Sequence, residues 1–229
     1  MTKFMVALPM PPGSSEPTRA FAEEISKNIE DFAESRRELG VTREAWWIQA
    51  TQAGDVFVLL LEGKDPIASN AAFAASQKPY DVWFKDRAGS ILGADFNQPI
   101  PIRPDPVYRS APDGPAAKQS IGLAVPLLPG KTEAHRRVAD ALNGERRDGF
   151  DEFHRRAGVT EDWWIQETPM GDFAVVYLES DDLGAAMGHL AQSQGETEAW
   201  FKQALMETQG IDWGGPPPPL PELPFDWRG

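Results

Sequence analysis

Imidazole is the one side chain whose ordinary pKa lies near neutrality, so the three histidines of this 229-residue chain are the first places to look for acid–base chemistry. His135, His154 and His189 all stand in its second half. His135 and His154 are nineteen positions apart, about 28 Å along a straight helix, too far to share a metal there. His189 is a candidate pocket acid or base, although the apolar stripe Leu183, Ala186, Met187 and Leu190 leaves it about 100° to the side, where a solvated flank is the alternative. Among the carboxylates, Glu62 and Glu179 close their strands, and the pairing inferred below sets Asp162 opposite Glu179. Two carboxylates in a desolvated mouth hold one pKa up and make a proton acceptor, whereas a solvated strand end would do nothing of the kind. Trp47, Trp164 and Tyr177 with Gln49, Gln166 and Glu62 have the composition of a ligand pocket: apolar walls with a few polar handles. The competing reading is a filled core in which an indole N–H bonds a glutamine oxygen. The catalytic candidates are therefore Glu179, His189 and Gln166. No cluster with metal-ligand spacing exists, and there is no cysteine.

These residues sit in a chain that repeats itself. Ala7-Leu8-Pro9 with Pro12-Gly13 recurs as Ala124-Val125-Pro126 with Pro129-Gly130, and Trp46-Trp47-Ile48-Gln49 recurs as Trp163-Trp164-Ile165-Gln166. Gly54-Asp55, Ser76-Gln77 and Trp83-Phe84-Lys85 return as Gly171-Asp172, Ser193-Gln194 and Trp200-Phe201-Lys202. The offset is 117 throughout, with a compensated one-residue slip around Gly40 and Gly158. The duplication divides the chain into repeats over 1–110 and 121–229, joined by a small, prolyl linker over 111–120. The prolyl run before the C-terminus aligns Pro224-Phe225 with Val107-Tyr108. Both stretches are therefore expected to feed the last edge strand of their own repeat, where proline is tolerated; a polyproline recognition peptide is the alternative.

Each repeat reads as β-α-β-β-α-β, the ferredoxin-like order. Phe4 to Leu8 alternates as a strand, and Ser14 or Ser15 caps a helix that runs to Gly40 on the stripe Phe21, Ile25, Ile29 and Phe32. Trp46–Thr51 and Val56–Glu62 form a hairpin about Ala53-Gly54, and Asp65-Pro66 opens the next helix. A two-residue loop at Ala53-Gly54 would pair Gln49 with Val58 and Trp47 with Leu60, leaving Trp46, Ile48, Ala50, Phe57, Leu59 and Leu61 to pack on the helices. The opposite face carries Trp47, Gln49, Leu60 and Glu62, matched by Trp164, Gln166, Tyr177 and Glu179. Two tryptophan-bearing faces would be large exposed apolar patches unless they packed on each other.

On these motifs the chain resembles the dimeric α+β barrel superfamily, which includes antibiotic-biosynthesis monooxygenase-like, EthD-like and Dabb-type proteins. The resemblance implies an α+β fold in which the two tandem repeats pack sheet to sheet as an intramolecular barrel, giving a monomer with an internal pseudo-twofold or a weak homodimer. It also implies small-molecule functions: cofactor-independent oxidation or isomerisation of a hydrophobic or aromatic substrate, plain ligand binding, or haem binding, for which His189 is the counterpart in position of an axial ligand. Members that oxidise without a cofactor use tryptophan, asparagine and arginine; Asn70, Trp83 and Arg87 are the trio of that composition here.

Composition narrows the partners. Lys+Arg 22 against Asp+Glu 35 gives a net charge of −13, which disfavours nucleic acid and anionic membranes alike. No nucleotide-binding, P-loop or nucleophile-elbow signature is present. The prolyl break after MTKFMVALPM argues against a signal peptide, so the chain reads as cytoplasmic. A small hydrophobic molecule is the expected partner, and a barrel simply filled by its own side chains is the other possibility.

Overall fold

The computed structural model describes residues 1–110, 117–215 and 219–229; most of the expected linker (111–116) and part of the polyproline run (216–218) lie outside the described residues. The fold is α+β, with two four-stranded antiparallel sheets and eight helices among the described residues. No helix is long and apolar enough to cross a membrane.

The first compact unit comprises Met1–Arg103 with Pro221–Gly229. It holds β1 (Thr2–Pro9), α1 (Ser15–Lys27), α2 (Ile29–Glu38), β2 (Val41–Thr51), β3 (Gly54–Gly63), α3 (Pro66–Ala75), α4 (Pro79–Leu92) and the final strand β8 (Glu222–Arg228), with sheet order β1-β3-β2-β8. The second unit, Pro104–Leu220, holds β4 (Asp105–Arg109), β5 (Gln119–Pro126), α5 (Thr132–Asn143), α6 (Arg147–Ala157), β6 (Val159–Gln166), β7 (Phe173–Ser180), α7 (Leu183–Gln192) and α8 (Glu196–Gln209), with sheet order β4-β6-β7-β5.

The edge strands correct the expectation. Each prolyl stretch feeds the sheet of the other repeat: β4 pairs with β6, and β8 pairs with β2. Phe225 lies opposite Trp46 and Tyr108 opposite Trp163, so the two strands occupy equivalent registers and self-comparison cannot tell one host from the other. Phe225 and Trp227 are buried. Phe32 meets both edge-on, at 5.0 and 5.5 Å between ring centroids. Arg43, also buried, donates to Asp226 at 2.8 and 3.0 Å.

The long first helix is two helices, broken at Asn28, and its counterpart is broken between Asn143 and Arg147. His135 and His154 therefore stand on separate helices. Ser14 does not cap α1 by its side chain; its hydroxyl donates to the Ile91 carbonyl at 2.8 Å and ties α1 to α4. The hairpin loop is Gln52-Ala53, which moves the register by two: Trp47 faces Val58 and Gln49 faces Val56. A shift of two preserves the faces, and Trp46, Ile48, Phe57, Leu59 and Leu61 join the core beneath the helices as expected. The one-residue slip between the repeats is a β-bulge between Val41 and Arg43.

The repeated motifs have structural causes. Gly54 and Gly171 adopt φ of 122° and 128°, which favours glycine. The aspartates after them, Asp55 and Asp172, accept hydrogen bonds from Ser15 and Thr132 at the starts of α1 and α5. Asp65 and Asp182 cap α3 and α7 through the amides of Ala68 and Ala185, at 3.0 and 2.9 Å. Lys85 Nζ donates to the Ala74 and Ser76 carbonyls at 3.0 and 2.7 Å, closing the C-terminal end of α3, and Lys202 does the same for Ala191 and Ser193. Replacing the buried Lys85 by methionine should lower unfolding stability by about 2 kcal/mol, since two charge-assisted bonds are lost at a helix end. An unchanged urea midpoint would show that water takes over both carbonyls.

Candidate functional site

Strand alternation divides β6 between two faces. Glu161 and Trp163 point toward the helices of the second unit, with Val176 and Leu178 of β7, while Asp162, Trp164 and Gln166 share the opposite face with Tyr177 and Glu179. A cavity of about 60 Å³, partly open to solvent, lies on the helix side. Its walls are apolar, with Phe153 from α6, Met187 from α7 and Phe201 from α8 among them; Glu161, Gln209, Trp163 and Trp213 are the lining residues that carry polar side-chain atoms. The Trp213 nitrogen donates to Gln209 Oε1 at 3.0 Å. The Trp163 nitrogen is buried and has no hydrogen-bond partner.

Behind Glu161 stands a buried polar chain. His154 Nε2 lies 3.1 Å from Glu161 Oε2, and His154 Nδ1 lies 3.5 Å from the Tyr108 hydroxyl. A carboxylate only accepts, so with neutral imidazole Nε2 carries the proton and Nδ1 accepts from the tyrosine. Burial pushes the Tyr108 hydroxyl well above the ordinary phenol range, which keeps it protonated. Tyr108 arrives on the exchanged strand β4, whose continuation also clamps Glu161: the Glu161 amide donates to Ser110 Oγ at 2.7 Å, and the Ser110 amide donates to the Glu161 carbonyl at 2.8 Å. The exchange is thus what builds this side of the site.

The first unit provides an internal comparison. Glu44 pairs with Leu61 as Glu161 pairs with Leu178. There Arg36 takes the place of His154, with Nε 2.6 Å from Glu44 Oε2, and the Trp46 indole N–H donates to Glu44 Oε1 at 2.9 Å. The Arg36 guanidinium lies over the rings of Phe32, Phe73 and Phe84 at 4.4 to 4.7 Å. Phe73 and Phe57 correspond to the smaller Leu190 and Ala174. The second unit has traded aromatic volume and an arginine for the cavity and a histidine.

His135 is fully buried on α5 and stacks on the Trp163 indole, with centroids 5.5 Å apart. The Thr208 hydroxyl donates to the Ala204 carbonyl at 2.8 Å, so its oxygen accepts from His135 Nδ1, 3.1 Å away, and Nε2 remains unprotonated and unpartnered. Burial pulls the His135 pKa down to about 4 from 6.5. Protonation then favours the unfolded chain between those values, so stability present above pH 6.5 is lost as the pH falls through 4, by about 3 kcal/mol in full. Urea unfolding at pH 7 and pH 4 should show this loss in the wild type and its absence in His135→Phe. Equal acid losses in the two proteins would place the sensitivity elsewhere.

The residues singled out from sequence lie elsewhere than this cavity. Trp47, Trp164, Gln166 and Tyr177 are buried on the sheet faces away from their units' helices, with Gln49, Glu62 and Glu179 partly buried beside them. Asp162 is opposite Tyr177 and not Glu179, because the second hairpin also pairs two residues off the expected register. The Tyr177 hydroxyl donates to Glu179 Oε1 at 2.6 Å, and Asp162 accepts from Arg109 at 2.9 Å. Glu62 lies 3.9 Å from Arg43. Asn70 accepts from the Ile100 amide at 2.9 Å, Trp83 packs against Phe21, and Arg87 is an exposed partner of Glu24, so this trio serves packing and loop anchoring. His189 stacks on Phe153, 5.8 Å between centroids, and is not among the cavity's lining residues. The cavity and His189 do not combine into a haem site, since this imidazole stacks on Phe153 and is not part of the lining. Among the described residues no group of three or more His, Asp or Glu could hold a metal ion.

The sequence alone marks His154 as one of three acid–base candidates without giving it a partner, places Tyr108 only in an edge strand, and does not single out Glu161. The signal was the exchange of Arg36 for His154 beside a glutamate present in both repeats.

No protein-family model and no curated protein matches the chain. Among solved structures it is similar to a proposed monooxygenase from Lactobacillus acidophilus NCFM, at a TM-score of 0.54 and 9% identity, covering 100% of this chain and 97% of that one. The likeness is one of fold. A proposed monooxygenase from Fusobacterium nucleatum subsp. nucleatum aligns at a TM-score of 0.45 and 8% identity, over 99% of this chain and 93% of that one.

Proposed function

We propose that the chain is a small-molecule-binding protein whose site is the cavity of the second unit, and that it acts as a cofactor-independent monooxygenase or isomerase on a hydrophobic, aromatic substrate. The observation that carries this reading is the Glu161 carboxylate facing an apolar cavity with the His154–Tyr108 chain behind it. Glu161 is the proton acceptor. His154 holds the carboxylate in place through Nε2–H, and the apolar walls exclude water. A phenol or enol that has given up its proton is electron-rich enough to react with dioxygen directly; return of the proton to a different carbon is isomerisation. The cavity takes the reacting edge of the substrate and its mouth takes the rest. The similarity in fold to a proposed monooxygenase agrees with this reading.

The wider setting follows from composition: an acidic, cytoplasmic protein. Dioxygen uptake and double-bond migration across a panel of phenols and enones test the activity. Glu161→Gln should reduce turnover by about 10²- to 10⁴-fold, the range for loss of a general base, with the fold retained. Full turnover in that variant refutes the assignment. The small volume of the cavity favours a second reading, ligand binding without chemistry, which predicts retained binding and no turnover in the wild type.

A further inference from the structure

The two repeats treat the same pair of side chains differently. In the first unit the Trp46 indole N–H donates straight to Glu44, and the pair satisfies itself. In the second, Glu161 Oε2 is engaged by His154, and the Trp163 N–H, fully shielded from solvent, has no partner while its ring lines the cavity. The two residues are two apart on one face of β6, as Glu44 and Trp46 are on β2, and both line the same apolar space, with the unpartnered indole N–H buried at its wall.

We infer that the site recognises a single hydroxyl group, phenolic or enolic, which accepts a hydrogen bond from Trp163 Nε1 and donates one to the Glu161 carboxylate, and that the self-satisfied first repeat has no equivalent site. This deepens the function proposed above and rests on it. A hydroxyl is the smallest group that both accepts and donates. An ether or carbonyl can take the indole proton but leaves the carboxylate unanswered, and a hydrocarbon leaves both groups buried without partners. The arrangement also explains why His154 replaces arginine. A guanidinium would neutralise the carboxylate permanently and fill the space, as Arg36 does over its three phenylalanine rings, whereas an imidazole holds one oxygen and leaves the other face open.

The test uses phenol, anisole and toluene as probes against the intact protein, followed by the indole N–H resonances in ¹H–¹⁵N spectra. The Trp163 resonance is assigned by its loss in Trp163→Phe. Phenol should shift the Trp163 signal and leave Trp46 unmoved, and anisole and toluene should bind about tenfold more weakly or worse. In Glu161→Gln phenol should still bind, with its preference over anisole reduced. Equal binding of phenol and anisole overturns the hydroxyl inference while leaving the site itself standing. If none of the three probes perturbs Trp163 or another cavity residue, the site and the inference both fall. The relative affinities of the three probes for the wild type need no variant, so that comparison decides the hydroxyl preference even if a variant folds poorly.

Discussion

A chain ending at Leu220 is expected to lose the fold of its first unit at room temperature. The missing segment carries β8, and with it Phe225 and Trp227, both buried in the core of that unit, and Asp226, the partner of buried Arg43. Loss of two buried aromatic side chains costs about 6–10 kcal/mol by the usual range for such truncations, which is comparable to the whole stability of an ordinary domain. The second unit keeps every one of its strands. Amide exchange checks this: protection should vanish from β2 and β3, and a synthetic peptide spanning Pro221–Gly229, added in trans, should restore it. Protection unchanged by the truncation would mean that β8 contributes no more than an ornamental edge.

The buried Arg36–Glu44 pair should show the second large effect. Both side chains are almost fully enclosed, and Glu44 also answers the Trp46 indole. Glu44→Leu strands a guanidinium among aromatic rings and an indole N–H without an acceptor, for an expected loss of about 3–5 kcal/mol. Arg36→Met alone strands the carboxylate and should cost a similar amount. The double variant should be less destabilised than either single one, because an apolar pair fits a site already walled by Phe32, Phe73 and Phe84. Additive losses in that cycle, measured by urea unfolding, would show that the two groups are not coupled. Neither variant touches the second unit's cavity.

The repeat, the order of elements and the division of each sheet into two faces were legible in the residues, because they depend on periodicity and on motifs such as Trp46-Trp47 that appear twice. The hairpin register was off by two, yet the faces survived, since side-chain direction follows parity and not register. The strand exchange was not legible. Tyr108 and Phe225 are interchangeable in hydrophobicity and register, so either sheet could take either strand. The cavity of the second unit was not legible either, for a different reason. Tryptophan on the face without helices draws attention to Trp47 and Trp164, while the cavity lies under the helices, where a difference in volume such as Phe73 against Leu190 matters only once packing is known. His154 was visible, but its meaning depended on Glu161 and on a tyrosine delivered from the other repeat.

The exchange of edge strands also bears on the order in which the protein is made. The strand that completes the first sheet is the last to be synthesised, some 126 residues after Arg103, a delay of about 6–25 s at ordinary rates of translation. During that interval the edge of β2 is exposed, and the first strand to reach it is β4, which matches β8 in register. The nascent first repeat can therefore close on its own β4 as a placeholder. Any such pairing must be released before the native one forms, with β4 leaving for β6 and carrying Tyr108 and Ser110 with it. On this ordering the second sheet is completed by the release of a strand from the half made before it.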